Sequence, residues 1–290
     1  MAIAPPTTRR LDVAVIADVH LGLPAGRARE LGHYLETISP KTLVVAGDLL
    51  RLRALRRRRL ADDDLAVIRR LFDLAHSGTR VYVLTGNHDA GLGRFGDLAL
   101  GNLHVRRELE LHLDGHRYFM CHGDRLEAAV RLGLPDAGGD SLAERFAAWV
   151  DRRWGNLLEA FGGARPSLSR DLRRGATRAE RHLSRYRLAA ARLARERGCD
   201  TIVCAHVQRP ALTTVDLPGD GGTVRYMNPG DWVSSLSALE YRRGEWSLTY
   251  YDADDSPPLS SRLRPPLPEP ASREAASLLE QIVASGPTRF

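Results

Sequence analysis

The sequence predicts an α/β fold built on a sheet with a sandwich-like core. Three observations lead there. Short, continuous apolar runs at residues 13–17, 43–46 and 81–84 each end in a polar turn, as buried strands do. Between them lie amphipathic stretches long enough for helices. The resulting order, strand-helix-strand-helix-strand, places helices against sheet faces.

Taken in order, LDVAVIADVH opens with a strand ending near Asp18, and GRARELGHYLETI follows as a helix. TLVVAGD is the second strand, ending in Gly47-Asp48. In LADDDLAVIRRLFDLAHSG, residues Leu65, Ile68, Leu71, Phe72 and Ala75 share one helical face. Asp62 to Asp64 suit the positive end of that helix, and Gly78 suits its close. TRVYVLTGNHD is the third strand. Residues 103–124 read as short strands with a turn at Asp114-Gly115.

Residues 139–198 then turn helical. Leu142, Phe146, Trp149, Val150, Trp154, Leu157 and Phe161 recur at helical spacing, as do Leu172, Ala176, Ala179, Leu183, Tyr186, Ala190 and Leu193. This segment is expected to be a helical insertion between strands. DTIVCAHVQ is a further buried strand, and residues 211–251 read as a run of short strands. From about residue 253 the chain is rich in Pro and Ser. Residues 1–252 are therefore expected to form the working domain, and 253–290 a loose tail with a short amphipathic helix around Leu278, Leu279 and Ile282.

With 290 residues, 43% of them hydrophobic and 27% charged, the chain can build a large core without disulfides. The cysteines, Cys121, Cys199 and Cys204, form no CxxC pair and no even set, which argues against a disulfide framework. The run at 13–17 is too short for a secretory signal, and no stretch approaches the about 20 apolar residues of a membrane span. A cytoplasmic protein is expected, with peripheral binding at the inner face of a membrane left open. The net charge is +6 and Lys41 is the only lysine, so the basic charge is arginine, which binds phosphate through a bidentate fork.

Five short motifs end strands: Asp18-x-His20, Gly47-Asp48, Gly86-Asn87-His88-Asp89, His122-Gly123-Asp124 and Ala205-His206-Val207-Gln208. Each alone reads equally well as a cap or a surface turn. Together they bring carboxylate, imidazole and amide groups to the ends of buried strands, where such groups need a compensating partner. These residue types suit Mn²⁺, Fe²⁺ or Zn²⁺, and no thiolate set for structural zinc is present.

The five motifs resemble the pattern of the calcineurin-like metallophosphoesterases, over roughly residues 11–251. The resemblance implies a four-layer α/β/β/α sandwich with a helical cap insertion. It also implies two divalent metal ions, Mn²⁺ first among them with Fe²⁺ or Zn²⁺ as alternatives, and attack on phosphorus by a metal-bridging hydroxide. Asp18, His20 and Asp48 would hold the first ion. Asp48 would bridge to the second, held by Asn87, His122 and His206. His88 would touch the phosphate and serve the leaving oxygen. The family's GHxH reads AHVQ here, so Gln208, a weaker donor than imidazole, stands at a first-ion position. The segment Tyr226-Met227-Asn228-Pro229-Gly230-Asp231-Trp232-Val233 is similar to the UDP-2,3-diacylglucosamine diphosphatase branch. That branch implies hydrolysis of a lipid-linked diphosphate with Mn²⁺ at the cytoplasmic membrane surface.

Arg170, Arg173, Arg174, Arg178, Arg181 and Arg185 line one side of the insertion, and Arg56 to Arg59 form a second basic run. Both read either as solvated faces or as surfaces for a diphosphate or for anionic headgroups. Arg173 and Arg174, with Asn87 and His88, are the candidate substrate contacts. The competing functional readings are another phosphodiesterase or a nuclease, which a basic face also suits, and a degenerate metal-binding scaffold without turnover. No feature of the sequence bears on oligomeric state.

Overall fold

The computed structural model describes residues 8–24, 26–52, 60–95, 98–131 and 171–252, with the backbone alone at 94, 95 and 171–178. Its elements are β1 (Arg9–Ile16), α1 (Ala28–Glu36), β2 (Ile38–Ala46), α2 (Asp62–His76), β3 (Arg80–Leu84), β4 (Ala99–Leu100), β5 (Leu103–Arg106), β6 (Glu108–Leu113), β7 (His116–Cys121), α3 (Asp124–Arg131), α4 (Asp171–Glu196), β8 (Thr201–Cys204), β9 (Ala211–Asp216), β10 (Thr223–Asn228), β11 (Ser237–Arg242) and β12 (Glu245–Tyr250). They form a seven-stranded sheet ordered β12-β11-β1-β2-β3-β5-β4 and a five-stranded sheet ordered β6-β7-β8-β10-β9.

The strands that carry the motifs are parallel: β1 to β2, β2 to β3, and β7 to β8. Their C-terminal ends therefore lie on one side of the molecule. Both faces of each sheet are covered, which explains the continuous apolar runs. Between the sheets, Val13, Val15, Val44 and Leu84 meet Tyr118, Met120, Val203 and Met227. On the far face of the first sheet, Ala14, Ile16, Leu43 and Val45 pack with Leu31, Leu35, Val67 and Leu71 of α1 and α2. On the far face of the second, Phe119, Ile202 and Tyr226 pack with Tyr186, Ala190, Ala191 and Ala194 of α4. The result is the four-layer α/β/β/α sandwich.

One sequence expectation needs revision. Leu65 is 41% exposed, whereas Val67 and Leu74 are buried in its place. The buried stripe of the helix runs through Asp64, Val67, Ile68, Leu71, Leu74 and Ala75, and Leu65 falls at its flank. Residues 139–198 were expected as a helical insertion between strands. Their described half, α4, is the crossover between the parallel neighbours β7 and β8, and it supplies the outer layer on the second sheet. Its three buried alanines let the helix lie close to the strands, while Ala179, expected on the same face, is exposed. The aromatic half of the expected insertion, Arg56 to Arg59 and the tail from 253 lie outside the described residues.

If α4 is a layer of the sandwich, truncating Tyr186 to alanine should cost about 3–5 kcal/mol of unfolding free energy, as for other large buried aromatics. Arg185→Ala, on the exposed side, should change it by no more than about 0.5 kcal/mol. Urea denaturation of the two variants makes the comparison, and near-equal small effects would place α4 outside the cooperative fold.

Candidate active site

All five motifs emerge at the C-terminal ends of β1, β2, β3, β7 and β8, and turn toward a common centre. The chain makes these turns through left-handed backbone: φ is 49° at Asp18, 53° at His20, 53° at Asp48, 62° at His206 and 50° at Gln208. Asp and His enter this region more readily than most residues, and such conformations gather where a site needs them. The turns are also tied together. Asp18 N–H donates to the Gly47 carbonyl at 3.1 Å and His20 N–H to the Asp48 carbonyl at 2.9 Å, extending the β1–β2 pairing past the strand ends.

Two glycines leave room for the centre. A Cβ at Gly47, where φ is 95°, would sit 2.3 Å from His122 Nδ1. One at Gly86 would sit 2.3 Å from Asp48 Oδ1. Neither position admits a side chain without moving a site residue.

Asp48 lies at the middle. Its Oδ1 accepts from the His88 N–H at 2.8 Å, and its Oδ2 is 3.3 Å from His122 Nε2. His122 Nδ1 donates to the Ala46 carbonyl at 3.1 Å, which aims Nε2 inward. There Nε2 meets Asn87 Oδ1 at 3.3 Å and His206 Nδ1 at 3.2 Å. On the other side, Asp18 Oδ1 is 3.7 Å from His20 Nε2. Gln208 Nε2 is 3.3 Å from the same His20 nitrogen and 3.4 Å from Asp18 Oδ1. A half-turn of the Gln208 amide presents its oxygen instead. Thus Asp18, His20, Asp48, Asn87, His88, His122, His206 and Gln208 all converge. The side chains of Arg173 and Arg174, the remaining candidates, lie outside the described residues.

Burial dominates the electrostatics. It raises Asp18 to about 6, helped by Asp48 and opposed by His122 and His206. Burial also pushes Asp48 upward, but His122 and His88 outweigh it and hold that carboxylate well below its ordinary range. His122 is the converse: burial disfavours its charge, and Asp48 more than restores it. Burial lowers His20 to about 4 and lowers His88 too, with the nearby Arg51 guanidinium acting in the same sense on both.

This donor set fits divalent cations. Ligand atoms of His20, Asp48 and His88 lie within 4.8 Å of one another, as do those of Asp48, His122 and His206. Two ring nitrogens face each other at 3.2 Å, and His20 Nδ1 is buried with no hydrogen-bond partner. Mixed oxygen and nitrogen donors of this kind suit borderline metals.

Residues 11–210 match the calcineurin-like phosphoesterase family. The chain belongs to that family. As a calcineurin-like phosphoesterase it is a phosphoester hydrolase. It is 25% identical over 252 residues to a UDP-2,3-diacylglucosamine hydrolase of Pseudomonas savastanoi pv. phaseolicola, covering 82% of this chain and 90% of the relative. A protein of the same description from Ralstonia nicotianae is 31% identical over 153 residues, 49% of this chain and 50% of the relative. Among solved structures, an archaeal phosphodiesterase aligns over 82% of this chain and 98% of its own, with 12% identity and a TM-score of 0.38.

Several residues of the phosphoesterase site escape motif reading. Asp89, fully buried, accepts from the Gly86, Leu49 and Leu50 amides at 2.6, 2.8 and 3.4 Å and so joins the β2 and β3 turns. It ends the Gly86-Asn87-His88-Asp89 motif, so its position was visible but its task was not. The Trp232 N–H donates to the Asp18 carbonyl at 3.2 Å, and Asn228 Nδ2 to the Ala205 carbonyl at 3.2 Å. These two bonds make the segment from Tyr226 to Val233 a brace for both halves of the site. Asp89→Asn keeps the shape of the side chain but turns an NH₂ toward an amide donor. It should cost about 1–3 kcal/mol of stability, the usual penalty for an unmade buried bond. Guanidinium denaturation checks this, and an unchanged midpoint would show that Asp89 does not hold the turns.

Proposed function

We propose that this phosphoesterase uses two divalent metal ions, Mn²⁺ first among them and Fe²⁺ or Zn²⁺ as alternatives, to cleave the diphosphate of a UDP-diacylglucosamine-like, lipid-linked nucleotide sugar. The observation that carries the two-metal reading is Asp48, which belongs to both ligand groups. In this reading Asp18, His20, Asp48 and Gln208 hold one ion, and Asp48, Asn87, His122 and His206 hold the other. Bound there, the ions supply charge neutralisation for the phosphate and an acidified water. The substrate class is supported by the resemblance to relatives described as UDP-2,3-diacylglucosamine hydrolases.

The chain's own groups do the rest. His88, lowered by burial, is neutral near pH 7 and offers one N–H to a phosphoryl oxygen. Arg51 stands in the segment between the His20 and His88 turns: its N–H donates to the Leu21 carbonyl at 3.1 Å, and the Leu52 N–H to the His88 carbonyl at 3.4 Å. Its guanidinium offers a permanent charge for the second phosphate of a diphosphate. A substrate carrying acyl chains would be met at the inner face of a membrane, and Arg173 and Arg174 are the candidates the sequence offers for its headgroup.

The test compares Mn²⁺-loaded protein on UDP-2,3-diacylglucosamine, bis-p-nitrophenyl phosphate, p-nitrophenyl phosphate, DNA and RNA. The lipid-linked diphosphate should have the highest kcat/KM, by at least about tenfold, equivalent to about 1.4 kcal/mol of discrimination. Faster cleavage of DNA or RNA would make it a nuclease, and two bound ions without turnover would make it a scaffold.

His88 offers a second test, because its ring also falls within the group formed by His20 and Asp48. If it serves the phosphate, His88→Ala should lower kcat by about 10²–10⁴-fold and leave the metal content unchanged. Loss of one ion from that variant, measured by elemental analysis, would make His88 a ligand.

A further inference from the structure

His206 poses a problem that the five motifs do not solve. A neutral imidazole has one N–H and one lone pair, and the lone pair must face the metal. In this chain Nδ1 faces His122 Nε2 at 3.2 Å while Nε2 faces Glu127, so Nδ1 is the inward nitrogen of a residue that groups with Asp48 and His122. The proton must therefore sit on Nε2, and something must hold it there.

We infer that Glu127 is the positioning residue that fixes His206 for metal binding, by accepting the Nε2 proton and leaving Nδ1 free to ligate. The inference rests on the two-metal reading. Glu127 Oε2 contacts His206 Nε2 directly. Its other oxygen, Oε1, accepts from Arg131 Nη2 at 2.6 Å and Arg131 Nε at 2.9 Å, and lies 3.4 Å from His182 Nε2 of α4. The carboxylate is thus gripped on one oxygen and presents the other. Its side chain is 16% exposed, against 63% for Arg131, so the clamp closes from the solvent side.

The local fold delivers Glu127 to this place. The first turn of α3 rises straight from the loop carrying His122, with the Glu127 N–H donating to the Gly123 carbonyl at 3.1 Å. Glu127 therefore stands one turn above one ligand loop and reaches across to the other. Carboxylates that accept the outer N–H of a metal-binding histidine fix its tautomer and ring orientation, and their removal costs about 10–100-fold in metal affinity. Helix α4 packs beside the arrangement, where His182 is a neighbour of the Glu127 carboxylate.

The test uses full-length, chelator-treated protein. Mn²⁺ is titrated calorimetrically into wild type, Glu127→Ala and Glu127→Gln, and the ¹⁵N imidazole spectra of the metal-free wild type and Glu127→Ala are recorded at about pH 8.5, above the ordinary titration range of histidine. Wild type should bind two Mn²⁺ ions, and its His206 should carry the proton on Nε2. Glu127→Ala should keep one affinity and weaken the other by about 10–100-fold, with His206 shifting toward a mixture of tautomers. Glu127→Gln, whose amide oxygen still accepts, should recover most of the loss; a purely structural role would move the melting temperature but not the tautomer. Two wild-type ions with both affinities unchanged in Glu127→Ala would overturn the inference alone. So would a His206 proton on Nδ1 in the wild type, a result that needs no variant to fold. Fewer than two Mn²⁺ ions bound to wild type would overturn the two-metal reading and the inference with it.

Discussion

The placement of the Asp48 carboxylate governs this structure. A buried carboxylate costs several kcal/mol in lost hydration unless opposite charge and hydrogen bonds surround it. Asp48 is surrounded: an amide from the His88 turn on one oxygen, the His122 ring on the other. These partners come from strands in different sheets, so the carboxylate can be satisfied only where both sheets end together. The parallel runs of β1–β2–β3 and β7–β8 put their ends on one side and make that possible.

The layers follow from the same requirement. Strands covered on both faces leave their ends as the places where polar side chains can gather. The left-handed turns at Asp18, His20, Asp48, His206 and Gln208 bend those side chains back over the strand ends, and Gly47 and Gly86 remove the bulk that would block them. Backbone strain, bare glycines and buried acids are each unfavourable in a strand-to-loop junction. Their coincidence at one spot is what separates a site from an ordinary set of turns.

Much of this was legible in the sequence, because a β-strand buried on both faces announces itself as an unbroken apolar run, and the first polar residues after each run are the ones that converge. Other features were hidden for definable reasons. An amphipathic, alanine-rich helix reads the same whether it stands as an insertion or packs on a sheet, so α4 gave no sign that Tyr186 belongs to the outer layer. Leu65 kept helical spacing with Ile68 and Phe72, but the buried stripe centres on Val67, Leu71 and Leu74 and leaves it at the flank. Glu127 and Arg51 lie three residues beyond Asp124 and Asp48, and their directions depend on how α3 and the β2 turn are seated. Asp89 sat in plain view inside a motif whose other letters drew the chemistry.

The two sheets face each other across an apolar layer of valine, methionine and tyrosine. Apolar contact is non-directional, so such a layer resists separation more than it resists a slide of one sheet over the other. Direction comes from the rim: His122 Nδ1 to the Ala46 carbonyl, His206 N–H to Asp18 Oδ2 at 3.1 Å, and Trp232 N–H to the Asp18 carbonyl. The first two cross from the second sheet to the first, and the third fastens the β10–β11 connection to the same point. The rim that gathers the reactive groups is therefore also the latch that sets the shear between the halves, and an ion shared by Asp48 and His206 would rivet it.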